Sequence, residues 1–249
     1  MDRHRPALTS GWALALAVPP LAFLGLFFLW PVANILALGL APEGQLALGH
    51  VLETWSRPFV LDTVLFTLAL AGVSTLLTLL LGLPAAWAFA RFTFPLKRVA
   101  RALTVVPFVL PTVVVGSAFL ALLGPRSPLN ALATALFGEA VPQVRLDGSV
   151  EAILIAHVFY NIAVVIRLVG GMWAHLDPRT EEAARMLGAS APRTLREVTW
   201  PLLRPAIISA ASIVFLFTVT SFGVVLLLGG PRHTTLEVEI YRQTAILLD

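Results

Sequence analysis

Residues 177 to 205 read DPRTEEAARMLGASAPRTLREVTWPLLRP, a polar and charged island between long apolar runs in a chain rich in Leu, Ala and Val. Such an island in so apolar a chain belongs outside lipid, and its residues spell two helices and a corner. Asp177 is placed to cap a helix that begins at Pro178, where a missing N–H costs nothing, and Gly188 ends it as a residue free to take positive φ. Ser190 is placed to cap a second short helix. That helix is expected to run to about Trp200, because Pro201 lacks a donor and disfavours helix at the residue before it. The expectation is a helix–Gly–helix elbow over residues 177–201 on one face of a membrane.

Outward from the elbow, composition sets the class. Of 249 residues, 58% are hydrophobic and 12% charged, with a mean hydropathy of +0.87, so a soluble domain could not keep this apolar surface from water. Apolar runs beyond about 18 residues recur, and in lipid a helix satisfies its own backbone. The fold class expected is therefore all-α, a polytopic transmembrane helical bundle. Five spans are drawn, roughly 11–40, 63–90, 102–123, 150–176 and 202–229. At about 1.5 Å per residue each crosses a hydrocarbon core of about 30 Å. Together they read as a single transmembrane domain over 1–249. Arg3 and Arg5 precede the first span as a charged leader would, but the apolar run far exceeds the roughly 7 to 15 residues of a secretory signal, so it reads as an uncleaved anchor.

Charge gives orientation and excludes partners. The formal net charge is +3 and the pI near 10.2, yet the basic residues cluster at span ends rather than in a nucleic-acid-binding patch. Eleven of the 17 Lys and Arg residues fall on the elbow's side: Arg3 and Arg5, four within 91–101, and five in the elbow region. Five fall on the other side, Arg57, Arg126, Arg145, Arg232 and Arg242, and Arg167 lies inside the fourth span. The bias places the N-terminus and the elbow in the cytoplasm. There are no cysteines, which excludes disulfides, zinc-thiolate sites and cysteine nucleophiles.

The order of residues in the elbow resembles the cytoplasmic loop of ABC-importer permeases, in which Glu-Ala-Ala is followed by three residues, Gly, nine residues and Ile-x-Leu-Pro. Here the pattern is Glu182-Ala183-Ala184, Gly188 and Val198-Thr199-Trp200-Pro201, with Val for Ile and Trp for Leu. The resemblance implies a coupling segment that docks into a groove on an ATPase subunit and passes its movement to the spans, carried by Glu182, Ala183, Ala184, Gly188, Arg193, Val198 and Pro201. The residues suit that use. Ala183 and Ala184 allow close approach, Gly188 permits the corner, and Arg185, Arg193, Arg196, Glu182 and Glu197 offer polar contacts. An ordinary capped hairpin would account for Glu-Ala-Ala alone, but not for motif, spacing and side together.

A transport path calls for polar residues within spans. His157, Tyr160 and Asn161 form a stripe on the fourth span, and Ser209, Ser212, Thr218, Thr220 and Ser221 mark the fifth. An ionisable group is costly in lipid, so His157 and Arg167 are expected to face protein or a water-lined cavity. His157, Tyr160, Asn161, Arg167 and Ser221 are the candidate lining residues, though hydrogen bonding between helices would explain Ser and Thr equally well. A lone His without a second ligand makes a poor metal site, and no metal is expected. Pro84, Pro107 and Pro111 read as kinks. Loops 41–62 and 124–149 carry Trp55, Leu129 and Phe137 and read as short interfacial helices, facing either a substrate-binding protein or the membrane surface.

The chain has no GxxxxGK[ST] loop, so ATP and Mg are expected on a partner subunit and no cofactor on this one. A membrane acyltransferase or hydrolase would need a nucleophile and base at depth. His157 is the one strong base there, and no Gly-x-Ser-x-Gly turn exists, so no enzyme activity is expected. A scaffold would leave the elbow's pattern unexplained.

Residues 156–161 (AHVFYN), 228–231 (LGGP) and 234–241 (TTLEVEIY) further resemble the permease subunits of ferric-iron and thiamine importers. That resemblance implies a bacterial inner-membrane location, a cytoplasmic ABC ATPase dimer, an extracytoplasmic substrate-binding protein, a second permease half in the same full-length chain or another copy, and ferric iron or thiamine as cargo. It also implies two halves of six spans each. With one elbow, five spans and an end at Leu248-Asp249, the sequence is expected to be the N-terminal, C-terminally incomplete half.

Overall fold

A computed structural model of the chain describes residues 11–41 and 45–247, helical throughout apart from turns and connecting segments, with no strand among the described residues. Arg3, Arg5 and the terminal Leu248-Asp249 lie outside them. Internal contacts divide the chain into residues 1–61 and residues 62–249.

In the first unit, α1 (Gly11–Leu24) passes through a π-helical turn, Gly25–Leu29, into α2 (Trp30–Leu40). Trp30 N–H reaches back to the Gly25 carbonyl, and Pro31 follows at once. A proline ring in a regular α-helix would strike the carbonyl four residues back, and a widened turn just before it relieves that clash. Ala15–Leu40 is apolar for 26 residues, long enough to cross a membrane. After it comes α3 (Leu48–Ser56), the short helix expected within 41–62, with Trp55 exposed and Arg57 3.7 Å from Glu53.

The second unit is built around long helices. α4 (Pro58–Arg91) buries a stripe of small and hydroxyl residues from Thr63 to Ala86 at three- and four-residue spacing. The Thr67, Thr75 and Thr78 hydroxyls each donate 2.7 Å to the carbonyl four residues back, and the Thr67 oxygen also accepts from Leu236 N–H at 3.0 Å. At Gly82 the approach is closest: a Cβ there would stand 2.7 Å from the Cβ of Val165. α8 (Val150–His175) starts where the Ser149 hydroxyl accepts from Ala152 N–H at 3.2 Å, and more than half of its most apolar stretch is buried in the chain.

Two of the expected spans are interrupted. Residues 102–123 are two helices, α5 (Lys97–Val109) and α6 (Thr112–Leu123), parted at Leu110 and Pro111. Proline forces Leu110 into an extended conformation, ψ 140°, and the Tyr160 hydroxyl donates 3.4 Å to the carbonyl freed there. α7 (Pro128–Phe137) follows, capped by Ser127, and the apolar stretch long enough to span runs Thr112–Phe137. Asn130 closes the loop behind it, its Nδ2 donating 2.8 Å to the Val144 carbonyl and its Oδ1 accepting 2.7 Å from Val144 N–H.

The fifth span departs further from 202–229. It begins at Ala191 and ends at Val219, 29 residues in all, and after Thr220 to Phe222 a separate α12 (Gly223–Leu228) carries the rest. α13 (Leu236–Tyr241) and a π-helical turn, Arg242–Leu247, complete the described residues.

Two apolar clusters hold this unit together. One joins Leu70, Leu123, Ala152, Ile153, Val225 and Leu228, the other Ala86, Val165, Val169, Trp173, Leu203 and Val214. α4 and α8 run through both. Between the clusters each carries polar residues, Ser74 on α4 and His157 to Asn161 on α8.

Candidate functional site

The elbow forms from local rules. α9 (Pro178–Met186) opens with the Asp177 carboxylate accepting from Arg179 N–H at 3.0 Å and closes at Gly188, φ 88°. Gly188 N–H bonds the Arg185 carbonyl at 2.9 Å and Ala189 N–H the Ala184 carbonyl at 3.0 Å, the paired bonds of a Schellman stop. Nothing lies within 4 Å of where a Cβ on Gly188 would be, so it is the left-handed backbone, not crowding, that asks for glycine.

Two expectations for the second arm are corrected. Ser190 stands at the start of α10 (Ala191–Thr194) but its side chain makes no capping bond; its carbonyl takes the Thr194 N–H instead. Nor does the helix end at Trp200. It passes through a π-helical turn, Leu195–Thr199, straight into α11 (Trp200–Val219), with Trp200 N–H bonded to the Leu195 carbonyl. As at Trp30-Pro31, the widened turn makes room for the proline. The second arm of the elbow and the fifth span are thus one continuous rod.

The expected coupling residues take distinct places. Glu182 and Ala183 are exposed, Ala184 and Val198 half-buried, and Arg193 pairs with Glu197 at 3.0 Å on the outer surface. Two residues that sequence reasoning passed over stand out between the arms: Met186 and Leu187, apolar and 88% and 90% exposed, form the tip. Their apolar character inside a charged island was the available signal.

Equally absent from the sequence reading is the joint that fastens the elbow. Glu181, not its motif neighbour Glu182, turns inward, where its Oε1 accepts from Arg91 at the end of α4 and, at 2.8 Å, from the buried Thr199 hydroxyl. One carboxylate oxygen therefore ties the first arm, the second arm and α4 together. Beside this clasp lies a cleft of about 710 Å³ walled by Trp87, Trp173, Trp200, Leu83 and Arg185.

Four of the five candidate lining residues converge. His157 is buried, its Nδ1 2.9 Å from the Ser74 hydroxyl and its Nε2 2.9 Å from the Ser221 hydroxyl. A neutral imidazole donates at one nitrogen and accepts at the other, and two freely rotating hydroxyls satisfy either arrangement. Asn161 donates 3.0 Å to the His157 carbonyl, while its buried Oδ1 has no partner among the described residues. His157, Asn161 and Ser221, with Tyr160, Thr112, Thr220 and Phe217, line a pocket of about 240 Å³. Ser209 and Thr218 instead bond carbonyls within their own helix, and the Thr220 hydroxyl, though at the pocket, bonds the Leu216 carbonyl. Arg167 stands apart from the pocket, exposed on a neighbouring groove.

Residues 78–247 match the family described as binding-protein-dependent transport system inner membrane component. Among curated relatives, the molybdenum transport system permease protein ModB of Azotobacter vinelandii is 35% identical over 73% of this chain and 79% of its own. A permease protein named for 2-aminoethylphosphonate transport, from Salmonella typhi, is 28% identical over 99% of this chain and 85% of its own. The thiamine transport system permease protein ThiP of Brucella abortus is 34% identical over 71% of this chain, which spans only 32% of that longer protein. The fold is shared with a solved bacterial ABC transporter involved in import of the acidic polysaccharide alginate, TM-score 0.77 at 16% identity, over 94% of this chain and 84% of that one.

Proposed function

The chain belongs to the family of binding-protein-dependent transport system inner membrane components, and from that premise we propose that its elbow receives the stroke of an ATPase and its His157 pocket lines the path the solute takes. As a permease component of an ABC importer it is a multi-pass inner-membrane transport protein. Its work is movement, and ATP with Mg is held by the partner. The N-terminus and elbow lie in the cytoplasm, the elbow against one subunit of an ATPase dimer. A substrate-binding protein delivers cargo on the opposite face, and a second permease half, in the same full-length chain or another copy, completes the path.

The observation that carries the coupling reading is the apolar tip. Met186 and Leu187 project almost fully from a charged elbow that is rigidly stopped at Gly188 and clasped to α4 through Glu181. An apolar tip on a braced corner suits insertion into a groove on a partner. Because α11 continues the second arm without a break, displacement of the tip would move a span directly. Glu182, Ala183, Ala184, Gly188, Arg193, Val198 and Pro201 belong to this coupling surface and its support. The cargo implied by the resemblance at 156–161 and 228–241 is ferric iron or thiamine; relatives named for molybdenum, 2-aminoethylphosphonate and thiamine widen the choice of small solute.

The test is recovery of the tagged full-length protein from its native membranes in detergent, with ATPase activity assayed on the eluate. Wild type and Gly188→Asn, which tolerates positive φ, should bring down an ATPase. Gly188→Val, inserted normally, should lose it about 5- to 150-fold, because a β-branched residue at φ 88° costs about 1–3 kcal/mol. An eluate without ATPase activity from the wild type would sink the coupling reading.

A further inference from the structure

Arg167 is a charge that this sequence nowhere answers. It lies two turns inside the end of α8 at His175, about 12 Å along the axis, deeper than the terminal positions from which arginine reaches the interface. It is exposed, with no hydrogen bond or ion pair among the described residues, on a groove of about 260 Å³ otherwise walled by apolar residues, among them Val105, Leu168, Ile213 and Phe217. None of the 14 Asp and Glu residues falls within 63–138, 152–176 or 198–236, so these spans carry no carboxylate at that depth. An unanswered guanidinium within a membrane faces water or a counter-ion.

The groove adjoins the pocket already described: Phe217 lines both, His157, Tyr160 and Asn161 line the pocket, and Arg167 lines the groove. A solute passing the pocket would meet a lone, forked cation with five N–H donors and no competing acid.

We propose that Arg167 selects the charge of the solute, and that the cargo crosses this half of the path as a small anion bearing oxygen acceptors. The inference rests on the permease reading. It departs from free ferric ion or thiamine, both of which carry positive charge, and admits iron only as an anionic complex.

These 249 residues hold no cysteine, so a single introduced thiol is the only one they carry, and any cysteine elsewhere in the full-length protein or its ATPase is replaced by serine. Leu168→Cys places it on the groove wall beside Arg167. The full-length variant, with its ATPase, is reconstituted in phosphatidylcholine vesicles, where no anionic lipid can fill the groove. Its reaction rates with an anionic sulfonatoethyl and a cationic trimethylammonioethyl methanethiosulfonate are each normalised to a free thiol in buffer. Taking their ratio cancels any effect of Arg167 on the thiol's own ionisation. The anionic reagent should be favoured roughly tenfold, the preference should fall to near unity with Arg167→Gln, and Arg167→Lys should keep most of it. A ratio indifferent to Arg167→Gln, or a thiol neither reagent reaches, overturns the proposal. Should the Gln variant fail to insert, the Leu168→Cys protein with Arg167 intact still decides, because an absent anionic preference there is itself a refutation. A co-purifying ATPase without charge preference would defeat this inference alone; a missing ATPase would defeat the permease reading.

Discussion

The elbow and the His157 pocket are both polar constructions in an apolar protein, but they are assembled over different distances. Asp177 meets Arg179, Gly188 meets Arg185, and Glu181 meets Thr199 only 18 residues on. His157, by contrast, bridges residues 83 and 64 positions away, Ser74 on α4 and Ser221 in the break between α11 and α12. The first is a shape imposed by neighbours in the chain, and the second a junction that exists only after α4, α8 and the α11–α12 break have packed. Local polar structure can be revised one residue at a time. A junction between helices fails as a unit.

That contrast is open to attack by substitution. His157→Ala should have the largest effect on stability, about 2–4 kcal/mol, because it enlarges the cavity and takes from the buried Ser74 and Ser221 hydroxyls their shared partner. A lowered denaturation midpoint of the solubilised protein is the readout, and a cost no larger than that of losing a helix cap would erase the distinction between the two regions.

Next comes the clasp, the elbow's one long-range tie. Reversing either Arg91→Glu or Glu181→Arg alone should cost about 1–2 kcal/mol and weaken ATP-driven uptake, and the double reversal should restore part of both. A double variant as impaired as the sum of the singles would mean that the pair is not what fastens the elbow to α4.

The two caps supply the smaller effects. Asp177→Ala removes a bond that is made, so the first amides of α9 should lose about 1 kcal/mol of hydrogen-exchange protection. Ser190→Ala removes one that is not, and should change protection of α10 by no more than a few tenths of a kcal/mol. Equal losses at the two sites would show that Ser190 caps in solution after all.

The same division decides what could be read in advance. Asp177 and Gly188 announced their roles because capping and left-handed φ depend on a handful of adjacent atoms. Proline was legible only in part. Pro111 did break a span, whereas Pro201 and Pro31 did not end theirs, because a π-helical turn upstream removes the clash that the simple rule assumes. The choice between Glu181 and Glu182 could not be made from their order in the chain. Both are carboxylates at the start of one short helix, and only the position of Arg91, 90 residues earlier, turns one of them inward.

Composition, charge bias and the elbow's order of residues were thus enough, alone, to specify an all-α membrane protein of this family and to locate its corner, since lipid permits few backbones and caps act over one helical turn. Which polar residues meet one another, that Phe217 lines both the His157 pocket and the arginine-bearing groove, and that Met186 and Leu187 project while Glu181 is tethered, were decided by the tertiary structure. These depend on how helices far apart in sequence rotate against each other, and that rotation is set by the packing of small residues such as Gly82 against Val165, a contact no local pattern encodes.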